Sequence, residues 1–200
     1  MTEPRIPAVP AADWPAEMGE VVGALKPATA RLPFPPREPG RPKGLNALGT
    51  FAHHPELTRA FHTFNGHILF GTTLSARQRE LLVLRVATRR ECEYEWVQHL
   101  VLAGDAGLSD DEVARVRQGP DADGWDPLEA ALLQAVDDLL DTARVGDATW
   151  STLAGALERQ QLMDLVFTVG AYDVVAMAFL SFGVELDPDL AEWRKRHSPN

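Results

Sequence analysis

Between Glu80 and His99 the chain carries a thiol, two carboxyls and an imidazole. In the stretch ECEYEWVQH, Cys92, Glu95 and His99 stand at i, i+3 and i+7, so a helix there puts all three on one stripe facing one shared volume. A carboxyl beside an imidazole is the usual pairing for general acid–base work, because each tunes the other's pKa toward neutrality. Cys92 is a nucleophile if its thiolate is accessible and an inert, small apolar residue if it is buried.

These groups need two helices to hold them. Glu80 lies in the first turns of RQRELLVLRVATRR, which opens on a capping box from Ser75 to Gln78. It reaches the stripe if its helix packs antiparallel to the next one, which the short connection from Thr88 to Arg90 permits. Helical periodicity begins at Leu45 and resumes at Pro55, through ELTRAFHTFNGHILF to a stop at Gly71. Ser109 opens a short helix with a second capping box, Asp126 precedes Pro127 as an N-cap, and Asp147 is expected to cap the next helix. The last long helix is QQLMDLVFTVGAYDVVAMAFLSF. No segment alternates strictly as a strand must, so the fold class is all-α.

Residues 1–42 differ from the rest. Most of the prolines fall here, and proline removes backbone donors and fixes φ, so this is a proline-rich N-terminal arm. A short helix is expected around Ala16 to Leu25, and Trp14, Leu32 and Phe34 are apolar enough to anchor the arm as a strap over a neighbour. Residues 43–200 are expected to form one helical domain, since 200 residues of which 45% are hydrophobic suffice for a proper core.

Composition narrows the function. A net charge of -10 argues against nucleic acid as a partner, because a binder needs a positive face to displace the counterions of the phosphates. The N-terminal stretch lacks the basic start and apolar run of a signal peptide, which points to a cytoplasmic protein. A single cysteine allows no intramolecular disulfide and no thiolate-rich zinc site. The apolar run from Leu165 to Val184 is interrupted by Asp173 and preceded by Asp164, nine residues apart and so on opposite sides of a helix. That suits a helix packed within protein, partly covered by another subunit, rather than one in a membrane.

The spacing Glu80, Cys92, Glu95, His99 resembles the E-x11-C-x2-C-x3-H motif of the carboxymuconolactone decarboxylase and alkylhydroperoxidase D superfamily. The likeness extends through RQRELLVLRVATRRECEYEWVQHLVLAGDAGLSDDEVARV, with Tyr-Glu-Trp-x-x-His in place of Cys-x-x-Cys, and takes in NALGTFAHHPEL and QQLMDLVFTVGAYDVVAMAF. Glu95 occupies the place of the peroxide-attacking cysteine, and Cys92 that of its resolving partner. One thiol cannot close an internal disulfide, so the dithiol peroxidase cycle is not available here.

The resemblance implies an alkylhydroperoxidase D-like helical bundle that assembles as a homo-oligomer, a trimer or hexamer, with a small-molecule substrate at or near a subunit contact. It implies cofactor-free decarboxylation or isomerisation of a small carboxylated or lactone substrate. The expected roles are His99 as general acid/base, Glu80 or Glu95 orienting it, and Cys92 lining the pocket, with Glu95 the helix-borne partner at i, i+4. A thiol-dependent hydroperoxide reductase using Cys92 with an external thiol is an alternative, and a non-catalytic binding or assembly module is another.

Second-tier pocket residues are His67, Tyr94, Trp96 and Tyr172, the two flanking aromatics expected mainly to pack cores or contacts. The histidines at 53, 54, 62 and 67 do not share one helical face, so no metal site is expected. The stripe Leu165, Val169, Tyr172, Ala176, Leu180 has the spacing of a helix core.

Overall fold

The computed structural model describes residues 3–35 and 39–197; the remainder of the proline-rich arm and of the C-terminus lies outside them. The helices, in chain order, are α1 (Met18–Gly23), α2 (Leu45–Phe51), α3 (Pro55–Gly66), α4 (Ala76–Arg89), α5 (Glu93–Asp105), α6 (Asp110–Gln118), α7 (Pro127–Thr142), α8 (Asp147–Ala156), α9 (Arg159–Phe182) and α10 (Pro188–His197). A π-helical turn, His67–Gly71, follows α3. There is no strand among the described residues. The chain divides into two compact units, residues 1–71 with 177–200, and residues 72–176.

In the first unit the arm is ordered and straps over its own chain, where the sequence suggested a neighbour. Met18 and Val21 of α1 are buried with Ala52, and Val9, Trp14 and Val22 pack against them. The backbone N–H of Val9 donates to the carbonyl of Gly49 at 3.1 Å. Gly49 permits that approach, because a Cβ on it would stand 2.5 Å from the Val9 carbonyl oxygen. His62 bonds through Nδ1 to the Val21 carbonyl at 2.9 Å, His53 through Nε2 to that of Pro7, and His54 caps α3 by accepting from Leu57 N–H. Among the described residues no three His, Cys, Asp or Glu side chains gather in a way that could hold a metal ion. Helix α10 was not foreseen; Asp187, just before it, accepts from the backbone N–H of Asn46 at 2.9 Å.

In the second unit α4 is the central element. Leu81, Leu82, Val83, Leu84 and Val86 are all fully buried, so it is covered on every side rather than on one apolar face. Its polar residues are tied down in turn. Arg85 donates to both carboxylate oxygens of Asp137 on α7, at 2.8 and 2.6 Å, and to the carbonyl of Val116 at the end of α6 at 3.0 Å. Gly119 lets that guanidinium in: its φ is +110, and a Cβ there would stand 3.0 Å from Nη2. Arg77 pairs with Glu112 at 2.5 Å and Glu129 at 2.6 Å, joining α4 to α6 and α7.

The two capping boxes form as expected, at Ser75 with Gln78 and at Ser109 with Glu112, and Asp126 accepts from Leu128 and Glu129 N–H before Pro127. Asp147 does not cap α8: the N-cap is Gly146, and the Asp147 carboxylate pairs with Arg144. Gly71 closes the π-helical turn rather than α3 itself.

Helix α9 has the length and mean hydropathy, 1.9 over its most apolar window, that a membrane span would need by composition alone. It has two distinct faces. Leu165, Val169, Tyr172 and Ala176 are buried, while Leu180 is exposed and Phe179 takes the inward position in its place. Alternating steps of four and three from Leu165 lead to Phe179, whereas the expected stripe took a further step of four to Leu180. Asp164 and Asp173 are both satisfied within the second unit, Asp164 accepting from the backbone and hydroxyl of Thr73 at 2.6 Å each and Asp173 gripping Arg90 at 2.6 and 3.1 Å.

Candidate active site

The connection after α4 creates the site. Glu91 takes a left-handed conformation, φ +53, and Cys92 N–H donates to the Ala87 carbonyl at 2.9 Å, so the chain reverses within a few residues. Cys92 becomes the N-cap residue of α5, which starts at Glu93, and α5 runs back along α4. Nine residues before the end of α4 and six after the start of α5, Glu80 and His99 meet. Glu80 Oε2 stands 2.7 Å from His99 Nδ1.

Glu80 is completely buried. Its other oxygen, Oε1, accepts from Arg79 through Nε at 2.8 Å and Nη2 at 2.7 Å, and Arg79 is itself buried. Burial pushes the Glu80 carboxyl up, but the His99 ring and the Arg79 guanidinium, by charge and hydrogen bond, bring it below its usual range. An ionised carboxylate only accepts, so Nδ1 of His99 carries the proton, and Nε2 is the basic nitrogen whenever the ring is neutral.

Glu95 is the opposite case. It is 1% exposed, and neither carboxyl oxygen has a hydrogen-bond partner. Burial, and then the charge of Asp173, hold its pKa well above the ordinary value, so the site favours its protonated, neutral form. The pairing of Glu95 with His99 expected at i, i+4 therefore does not form. His99 turns toward α4, where a charged carboxylate is already held in place.

Cys92 is buried, and its thiol is pushed up to about 12 by burial and by Glu95, against the opposing effect of the Glu95 and Tyr94 N–H groups. It is a protonated thiol at neutral pH. Tyr172 on α9 meets the His99 ring edge-on, centroids 4.8 Å apart. Its own hydroxyl is held well above its usual pKa by burial and then by the Glu80 charge, so it too is neutral.

The structure thus gathers Glu80, Glu95, His99, Cys92 and Tyr172 in the second unit. Tyr94 and Trp96 are buried, and the Arg117 guanidinium lies over the Trp96 ring at 4.1 Å, so Trp96 packs against a cation. His67 is exposed and belongs to the first unit. Sequence reading missed Arg79 and the Arg90–Asp173 pair. Adjacent helix positions point 100° apart, so spacing rules pass over a neighbour such as Arg79, and only its long side chain allows it to reach back to Glu80.

Comparison with known proteins gives this geometry a family setting. Residues 55–138, which include all four motif positions, match the model of the Carboxymuconolactone decarboxylase family. This segment is therefore similar to that family. The fold around it is alkylhydroperoxidase D-like, as solved structures show. One is a peroxidase-related protein with an alkylhydroperoxidase AhpD core from Ralstonia eutropha, 18% identical, with 94% of this chain and 96% of that one covered at a TM-score of 0.70. Another is a variant of the debrominase Bmp8 in complex with 2,3,4-tribromopyrrole, 11% identical, with 96% of each chain covered at 0.71. A peroxidase-related protein from Silicibacter is 15% identical, with 82% of this chain and 95% of that one covered at 0.66. At these identities the likeness is one of fold. No curated protein matches the chain.

Proposed function

We propose that this protein is a cofactor-free enzyme of carboxymuconolactone decarboxylase-like type, performing decarboxylation or isomerisation on a small carboxylated or lactone substrate. The observation that carries the reading is the buried Glu80–His99 hydrogen bond of 2.7 Å beside a second buried carboxyl, Glu95, with no hydrogen-bond partner on either oxygen. Glu80 orients the imidazole and fixes its tautomer. His99 Nε2 takes the substrate proton or returns one to a dienolate-like carbanion. A neutral Glu95 offers a hydrogen bond to the oxygen on which charge develops, as a preorganised donor in a site closed to water. Two carboxyls held in opposite protonation states are a common arrangement for dividing acid and base roles.

The hydroperoxide-reductase reading is less well supported. A buried thiol with a pKa near 12 is a poor thiolate source, although two of the structural neighbours are peroxidase-related. We further propose that the chain works as a homo-oligomer, a trimer or hexamer. The support is an exposed apolar stripe along α9, formed by Met163, Val166, Phe167, Val174 and Met177.

The test is turnover on a panel of small carboxylated lactones and unsaturated keto acids, followed by CO2 release and ultraviolet absorbance. His99→Ala is expected to lose on the order of 10²–10⁴-fold in kcat, while Cys92→Ser keeps most activity. Turnover of an organic hydroperoxide that disappears in Cys92→Ser would overturn the assignment.

A further inference from the structure

We infer that Arg79 is a positioning residue of the Glu80–His99 pair: it supplies the positive charge that buried Glu80 requires, so His99 rests as a neutral ring with Nδ1–H and a basic Nε2. This deepens the acid–base reading above and rests on it. Charge must balance in a site closed to solvent. An ionised carboxylate with no access to water needs a compensating cation, since an uncompensated buried charge is strongly destabilising. Two neighbours could supply it: Arg79, with two donors on Oε1, or His99, with one on Oε2.

The guanidinium is charged at every accessible pH, while the imidazole is not. With Arg79 in place, arginine, carboxylate and neutral imidazole sum to zero. The groups facing the ring do not alter that sum: from α4 come Glu80 and Arg79 themselves, on α5 Glu95 and Cys92 are protonated, and from α9 comes the neutral hydroxyl of Tyr172. Asp173, which acts on Glu95, is neutralised by Arg90.

Without Arg79 the same carboxylate and neutral ring would leave one buried negative charge. The pair can relieve this only by holding one more proton. If the proton goes to Nε2, His99 becomes an imidazolium. If it goes to Glu80, the carboxyl donates, Nδ1 becomes the acceptor and the ring tautomer inverts. Either way His99 no longer presents a basic Nε2 at neutral pH.

The experiment is ¹⁵N NMR of the full chain with labelled histidine rings at pH 7.5, the His99 signals being assigned by their absence in His99→Ala. Wild type and Arg79→Lys are expected to show a neutral His99 with protonated Nδ1 and bare Nε2. Arg79→Gln is expected to lose that bare-Nε2 signature, showing either two protonated nitrogens or the inverted tautomer. A folded Arg79→Gln that keeps the wild-type signature overturns the inference. So does a doubly protonated His99 in the wild type, which decides the matter even if Arg79→Gln does not fold. The readout needs no substrate, so a missing turnover on the lactone panel and a failure here are separate results.

Discussion

Glu80 and Glu95, both shut away from solvent, are driven toward opposite charge states. Glu80 keeps its charge because Arg79 and His99 occupy its two oxygens, while Glu95 has nothing on either oxygen and keeps its proton. The contrast arises from partners: Arg79 and His99 both reach Glu80, and no donor reaches Glu95.

Glu95 makes stability fall as pH rises. Its folded-state pKa is raised, so its contribution is fully present below the unfolded carboxylate range. Above that range the unfolded chain releases a proton that the folded chain retains, and stability drops by up to about 1.4 kcal/mol per pH unit until the folded value is reached. Glu95→Gln keeps the shape and removes the titration. Its urea midpoint relative to wild type should climb from pH 5 to pH 8; a flat difference across that range would show that Glu95 is ionised in the fold.

Cys92 should be chemically quiet. With the thiol buried and pushed up to about 12, the native chain at pH 8 should react with iodoacetamide far more slowly than the urea-unfolded chain. Intact mass after brief exposure to an organic hydroperoxide should show no added oxygen on Cys92. Rapid, stoichiometric oxidation would contradict both statements.

Breaking the Arg85–Asp137 pair should be costly. Both side chains are buried, and removing the carboxylate leaves the guanidinium with only backbone carbonyls for partners. Asp137→Ala is expected to lose about 3–5 kcal/mol in chemical denaturation. A loss within 1 kcal/mol would mean that water replaces Asp137.

Gly49→Ala tests the strap. The added methyl would meet the Val9 carbonyl at 2.5 Å, so the N-terminal segment or α2 must shift, at about 1–3 kcal/mol. Proteolysis of the arm should accelerate in this variant while the acid–base site, in the other unit, stays intact. An arm as resistant as in the wild type would show that the close approach at Gly49 does not hold it in place.

A charge on the exposed face of α9 should disrupt assembly. Phe167 is 53% exposed amid Met163, Val166 and Val174, so Phe167→Glu should leave the monomer folded and lower the mass found by light scattering. Wild type running as a monomer would remove the oligomer proposal.

The sequence by itself determined most of the helices and the chemically capable side chains they carry. Capping boxes at Ser75 and Ser109, the Asp126–Pro127 start and the 3.6-residue periodicity are local signals, because they depend on backbone donors and on side chains a turn apart. The motif spacing put Cys92, Glu95 and His99 within reach of one another for the same reason, while Glu80 reaches them only through the packing of a second helix. The partners of those residues were decided only by tertiary structure. That His99 pairs with Glu80 across two helices instead of with Glu95 on its own follows from α5 turning back along α4 after the reversal at Glu91. That Arg79 enters the site depends on a long side chain folding back, and that Glu95 stays neutral depends on every neighbour covering it. The strap's seat on Gly49 and the burial of α4 on all sides are likewise long-range facts. Spacing along a chain decides which side chains share a face; burial and charge balance, set by elements distant in sequence, decide which of them carry protons.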